Sequence, residues 1–184
     1  MKMIQFGVLA LSLLIIKPAS AGLLIEPVLG YSFKSFEIDE EGFSEEKGSG
    51  TSYGGRLGYQ NLGFQLGLDY LKSSISLTDN DYKEDLSTSE WAAFAGFEFP
   101  ILLRVYAGYI FSANAETEVA GGTKLKLQDG TGMKLGVGFT GLPFVDINFE
   151  YRKGTYTKVK MGQSGDIDTD FNAFMVGISL PFVL

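Results

Sequence analysis

The chain has 184 residues, a formal charge of −7 and neither cysteine nor histidine. That rules out disulfides, thiol chemistry and the side chain most used as a general base near neutral pH, and an acidic chain without a basic stripe argues against nucleic acid as a partner. With only 5 prolines and no low-complexity tract, the composition does not read as a linker or a disordered protein.

In chain order, the first element is a secretory signal over residues 1–21. Lys2 supplies a positive start, an apolar run extends from Ile4 to Ile16, and Ala19-Ser20-Ala21 supplies the small residues of a cleavage site. The run is shorter than the ~20 apolar residues that a membrane-spanning helix needs. Cleavage is placed after Ala21, leaving one domain over residues 22–184 and removing two of the 15 basic residues, Lys2 and Lys17.

From there on the dominant pattern has period two, which puts alternate side chains on opposite faces of a strand. Leu23, Ile25, Leu29, Tyr31 and Phe33 oppose Glu26, Gly30, Ser32 and Lys34, and then Tyr53, Leu57 and Tyr59 oppose Ser52, Arg56 and Gln60. Phe64-Gln65-Leu66-Gly67-Leu68-Asp69-Tyr70 repeats the pattern, as does Trp91 to Phe99. Leu103, Val105, Ala107, Tyr109, Phe111 and Ala113 form an apolar row against Arg104, Gly108, Ser112 and Asn114. Met133, Leu135, Val137 and Phe139 follow, opposite Lys134 and glycines. Val145 to Arg152 alternates without a break, and Phe174, Val176, Ile178, Leu180, Phe182 and Leu184 end the chain. Eight such segments are predicted, each near the ~9–11 residues of a tilted membrane strand.

The connections alternate in length. Asn61-Leu62, the region of Pro100 and Gly141-Leu142-Pro143 read as tight turns. Residues 37–50, 78–87, 115–130 and 157–168 read as long polar loops, with Gly121-Gly122 and Asp129-Gly130 as turn formers. Long loops on one side and short turns on the other are the layout of an outer-membrane barrel, with both termini on the short-turn, periplasmic side.

A soluble barrel also alternates, with its apolar face inside, so the placement of the aromatics decides the orientation. Tyr31, Tyr53, Tyr70, Trp91, Tyr109 and Tyr151 cluster toward the long-loop ends of the apolar rows. Tyr59, Phe64, Phe97, Phe99, Phe139 and Phe182 cluster toward the short-turn ends. Two aromatic girdles mark two membrane interfaces, so the apolar face is expected to meet lipid. The polar face then lines a lumen just wide enough to be filled by side chains. An ion-pair network is expected there from Glu26, Asp69, Glu90, Glu98, Asp146 and Glu150 with Arg56, Arg104, Lys134 and Arg152. Glu116 falls on the same face, and no wide aqueous channel is expected. The expected architecture is all-β: an eight-stranded antiparallel transmembrane up-and-down barrel.

The final row, Phe174, Val176, Ile178, Leu180, Phe182 and Leu184, resembles the C-terminal insertion signal of outer-membrane proteins, although that pattern usually ends on Phe and here ends on Leu184. Together with the signal segment, the eight alternating strands and the loop pattern, the chain resembles the small OmpA/OmpX-type barrels of Gram-negative cell envelopes, with OmpW-like barrels as the second choice. The resemblance covers residues 22–184. It implies integral location in the outer membrane, insertion by the barrel-assembly machinery and a monomer. It carries over no catalytic histidine of the kind that barrel enzymes use, so an enzyme is not expected.

No cofactor or metal site is expected. Asp166, Asp168 and Asp170 lack the glycine and terminal glutamate of an EF-hand loop. Lys124, Lys126, Lys158 and Lys160 alternate with apolar residues on the extracellular side and are candidate contacts for lipopolysaccharide phosphates. Two functions compete: a structural or surface-interaction anchor presenting loops, and passage of small hydrophobic molecules past Leu24, Val28, Phe94, Tyr106, Ile110, Phe171 and Met175 on the lumen side.

Overall fold

The computed structural model describes residues 21–38, 46–79, 82–119, 123–161 and 163–184. The signal segment, residues 1–20 of it, lies outside the described residues. The strands are β1 (Gly22–Ile38), β2 (Glu46–Asn61), β3 (Phe64–Asp79), β4 (Tyr82–Phe99), β5 (Leu103–Val119), β6 (Thr123–Phe139), β7 (Asp146–Met161) and β8 (Gln163–Ser179), followed by the two-residue β9 (Phe182–Val183). Each strand pairs antiparallel with the next, and β8 and β9 return to β1, so eight long strands close into a barrel. Closure gives each long strand a partner on both sides and leaves no open edge, which a sheet in lipid requires.

The closing seam runs through Pro27 on β1 and Pro181 between β8 and β9. Val28 faces Ser179 and Leu24 faces Val183 in one unbroken register. Pro27 lies between them on β1, where its carbonyl accepts from the Leu180 amide at 3.1 Å but its ring nitrogen has no hydrogen to return. Beyond this half-made pair, Leu23 and Leu184 exchange both backbone bonds, at 2.9 and 3.0 Å.

The strands run to 16–18 residues, well past the predicted length. The excess lies where long loops were expected, and most of those segments continue the hairpins instead. A strand of 17 residues is ~55 Å long at ~3.3 Å per residue. At a tilt of about 40° it rises roughly 40 Å, against an apolar band of ~25 Å. The wall therefore stands some 15 Å above the membrane on the long-loop side. Asp129-Gly130 consequently sits inside β6 rather than at its start, with Asp129 at φ 54° and Gly130 opposite Ala113.

The short turns are where the sequence places them. Asn61 pairs with Phe64 across Leu62 and Gly63, whose φ values of 50° and 85° make a primed two-residue hairpin turn. The other tight connections, residues 100–102 and 140–145, lie at the same end, as do both ends of the described domain.

The simple alternation breaks where the β4–β5, β5–β6 and β7–β8 pairings shift register, and the shift in β5 moves predicted residues between faces. Consecutive β4 residues Trp91 and Ala92 face Ser112 and Ile110 on β5, so Phe111 is an extra residue, a β-bulge. Above it the parity of β5 reverses. Ala113 and Ala115, both almost fully buried, point inward, and Glu116 points outward. This corrects the placing of Ala113 on the lipid face and of Ser112, Asn114 and Glu116 on the lumen face.

Elsewhere the two faces are as predicted. Leu29 is 55 % exposed while Glu26, three residues away, is 0 % exposed. Tyr31, Tyr53, Trp91, Tyr109 and Tyr151 are exposed outside, as are Tyr59, Phe64, Phe99, Phe139 and Phe182 at the other rim. Tyr70 packs on Trp91 with ring centroids 4.7 Å apart. A wall this apolar outside and this charged inside is inverted relative to a water-soluble barrel, and only a lipid solvent makes it favourable.

Candidate functional site: the charged lumen

The alternation that turns leucines and aromatics to lipid turns every second residue of eight strands toward one axis. Among the described residues, the buried charged side chains are Glu26, Asp69, Glu90, Asp146 and Glu150 against Lys34, Arg56, Arg104, Lys134 and Arg152. Five of each sign leave the lumen formally neutral. For side chains this buried, a carboxylate or cation without a counterpart is strongly destabilising, so balance is the physical requirement.

At the short-turn end, Arg104 from β5 holds Glu26 from β1 through both terminal nitrogens, at 3.0 and 2.7 Å. This is the bidentate geometry that a guanidinium fork provides. The same group donates to Asn148 at 2.7 Å and lies 3.6 Å from Asp146. Ser179 donates to Glu26, and Asn148 donates to Ser179 at 2.8 Å.

Arg56 occupies the middle. It donates to Asp69 and to Glu26 at 3.0 Å each, to the Tyr106 hydroxyl at 2.9 Å and to Glu150 at 3.2 Å. Its guanidinium carbon lies 4.4 Å from the Tyr106 ring centroid. Gly136 faces that ring from β6, and a Cβ there would run into it. The glycine on this polar face is thus what admits a tyrosine across a narrow lumen. Lys134 bridges Asp69 and Glu150, the latter at 3.3 Å.

Above this, Arg152 reaches Glu150, Glu90 at 2.8 Å and Asp69 at 3.2 Å. Lys34 donates to Glu90 and to Thr88, the latter at 2.9 Å. An apolar cap closes the end away from the short turns, built from Phe36, Ile75, Leu86, Ile110, Tyr156 and Phe171. The hydroxyls of Tyr156 and Thr169 are buried there without a partner among the described residues.

Nine of the ten residues expected in the network lie in this lattice, and two details differ from expectation. Glu98 is only half-buried at the rim, and although it faces Arg104 in register it makes no ion pair among the described residues. At the rim, water can solvate it. Lys34, which shares a face with Glu26, joins the lattice although the expected set does not contain it. The signal for it was charge balance: the expected set held two more acids than bases, and exchanging Glu98 for Lys34 makes the two signs equal.

The four candidate lysines are distributed differently from one another. Lys126 pairs with Glu116 at 2.9 Å and Lys158 with Asp129 at 2.6 Å, all four side chains being surface groups. The Asp129 carboxylate, hydrogen-bonded to it, holds the Lys158 ammonium above its ordinary pKa. Lys160 is exposed and faces Lys126 across β6 and β7, whereas the side chain of Lys124 lies outside the described residues. The row from Phe174 to Leu184 faces outward along β8 and β9, with Phe174, Val176, Ile178, Leu180, Phe182 and Leu184 all exposed. Asp170 accepts a hydrogen bond from Thr155 at 2.5 Å, and the described residues contain no cluster of acidic side chains placed to hold a metal.

Solved structures share this architecture at low identity. Neisserial surface protein A (NspA) is 16 % identical with a TM-score of 0.60, covering 89 % of this chain and 99 % of that one. Ail, the attachment invasion locus protein of Yersinia pestis, is 15 % identical with a TM-score of 0.56, covering 88 % and 99 %. OprG of Pseudomonas aeruginosa is 15 % identical with a TM-score of 0.51, covering 90 % and 98 %. A comparison with curated proteins gives no match. The family described as "Outer membrane protein beta-barrel domain" matches residues 6–182, and with the lipid-facing wall and charged lumen already described, the chain belongs to that family and is an integral outer-membrane β-barrel.

Proposed function

We propose that this protein is a structural and surface-interaction anchor: a filled barrel that holds four hairpin ends above the outer membrane, with both termini in the periplasm. The observation that carries the reading is the lumen itself. A lattice of paired charges crosses the barrel, and a cap of buried aromatic and aliphatic side chains lies over it. Leu24, Val28, Phe94, Tyr106, Ile110, Phe171 and Met175, the side chains that a hydrophobic passage would use, are all packed and buried. Opening a path would unpair charges that have no other counterparts. Recognition commonly resides in the segments that a rigid scaffold positions, and the anchor reading assigns it to the connections on the long-loop side.

The test is planar-bilayer conductance together with uptake of a small apolar solute into vesicles containing the purified barrel. The anchor reading expects neither to rise above the protein-free level. Steady ohmic steps, or solute entry that scales with protein, would replace it with the passage reading. In the anchor reading the outer row of β8 and β9, ending in Phe182 and Leu184, is what the barrel-assembly machinery reads, and the folded protein acts as a monomer.

A further inference from the structure

The two faces of the wall exchange chemistry above the aromatic girdle on the long-loop side. Below it the wall is apolar outside and charged inside. Above it, β3 turns Ser74 and Ser76 outward and β4 turns Ser87 and Asp85 outward, while Ile75, Leu77 and Leu86 face the axis. On β5 to β7 the register shifts have the same effect. Plain alternation would bring Glu116, Lys126 and Lys158 inside; all three are surface groups, and Ala115, Leu127 and Val159 share the inner face instead. This end of the barrel is therefore built like a water-soluble one, polar outside and apolar inside. Packing accounts for the lower part of that inner row, where Phe36, Ile75, Leu86 and Phe171 are buried over the charged lattice, with Lys34 Nζ 5.7 Å from the Phe171 ring centroid. Higher up, Leu77, Leu125, Leu127 and Val159 face inward yet stay half-exposed, an apolar ring around the mouth. Two hydroxyls beneath it have no partner among the described residues: that of Tyr156, whose ring centroid lies 5.0 Å from that of Phe171, and that of Thr169, directly opposite Tyr156 on β8. A buried hydroxyl left unpaired is unfavourable, and an orphan inside an apolar shell marks a place for a polar atom.

We propose that this mouth is a binding site for one small apolar molecule that carries a hydroxyl or carbonyl group. Its apolar body lies within the ring of Leu77, Leu125, Leu127 and Val159, and its polar group meets the Thr169 hydroxyl, which can both donate and accept. Thr169 is placed for this. It is two residues beyond Phe171 on the inner face of β8, on the mouth side of the Tyr156–Phe171 stack. Eight strands enclose room for one small ligand, and an apolar lining with a single placed polar group is the usual make-up of a small-molecule site. Lipid does not account for the inner row, because these side chains point at the barrel axis and the outer face at the same height is polar. The molecule goes no further than the mouth, since the paired charges of the lumen lie directly below Phe171. The inference goes beyond the anchor reading and leaves its sealed lumen intact: it adds binding without passage.

The test is equilibrium dialysis of the purified barrel in lipid nanodiscs against 2-naphthol and against 2-methylnaphthalene, the same ring system without the hydroxyl, with empty nanodiscs as the partition blank. The expected result is one saturable site per barrel that prefers 2-naphthol by about five- to tenfold, the scale of one hydrogen bond. Thr169→Val keeps the shape and removes the hydroxyl; it should abolish that preference and leave 2-methylnaphthalene unchanged. Leu127→Gln should weaken both probes by about tenfold, through the polar group set into the ring. Absence of saturable binding above the blank would overturn the inference. So would an undiminished preference in Thr169→Val, or unchanged binding by Leu127→Gln, which would put the probes on the lipid-facing wall. Unheated gel mobility reports the folding of each variant. Conductance and solute uptake report the anchor reading separately: a probe that crosses the barrel overturns that reading, whereas a sealed barrel that binds no probe overturns this inference alone.

Discussion

Lys34 offers the sharpest test of the balanced lumen. Among the described residues its ammonium donates to Glu90 and to Thr88, deep in the barrel, and both members of the ion pair are 1 % exposed. Replacing it by methionine keeps the shape and leaves Glu90 with Arg152 alone, at 2.8 Å. Breaking a buried pair from one side costs about 3–5 kcal/mol, and the surviving Arg152 contact puts Lys34→Met near the lower end, at about 3 kcal/mol. Glu90→Gln is expected to cost a similar amount, because it strands the ammonium. The double variant restores neutrality and keeps an acceptor for Arg152. Its total cost should stay near ~3 kcal/mol rather than double, a coupling of roughly 2–3 kcal/mol. The assay is urea unfolding in phospholipid vesicles, followed by fluorescence of Trp91, the only tryptophan and one that faces lipid. A Lys34→Met variant within ~0.5 kcal/mol of the parent, or single costs that simply add, would refute the charge-balance argument.

Other outcomes follow from single contacts. Gly136→Ala should lower the free energy of unfolding by about 1–3 kcal/mol through overpacking against Tyr106; Gly165→Ala, whose nearest neighbour would be at 3.7 Å, should not. Because the chain has no native cysteine, single cysteines report the β5 bulge directly. A water-soluble maleimide should label Glu116→Cys and spare Ala113→Cys and Thr117→Cys, whereas a strand without the bulge would label Ala113→Cys. At the outer row, Phe182→Ala should slow assembly by purified barrel-assembly machinery while leaving spontaneous folding in detergent little changed; equal slowing in both would assign Phe182 a packing role only.

The extent to which the structure was legible varied along the chain for identifiable reasons. In β7 an aromatic or aliphatic residue alternates with a charge or amide from Val145 to Arg152, so only one facing is possible and the lumen positions of Asp146, Glu150 and Arg152 follow directly. In the upper half of β5 the sequence Ser112-Ala113-Asn114-Ala115 carries small side chains that either face tolerates. Nothing local marks the extra residue at Phe111, so Ala113 and Glu116 were assigned to the wrong sides. The long polar segments looked like loops because strand above the membrane has no lipid to face and loses its apolar row.

The opening property, an acidic chain of 184 residues without cysteine or histidine, already determined much: no disulfides, no thiol or imidazole chemistry, and, through its alternation, a barrel turned apolar side out. These are local properties, because period two and side-chain polarity act residue by residue. Which acid meets which base was decided only by tertiary structure. Glu26 meets Arg104 across 78 residues and Glu90 meets Arg152 across 62. Those partners come from strands that are not neighbours and converge only when β1 closes on β8. Closure also decided that Glu98 stays at the wet rim and that Lys34 completes the lumen's neutrality, and the pairing of β4 with β5 decided the bulge that turns Glu116 outward.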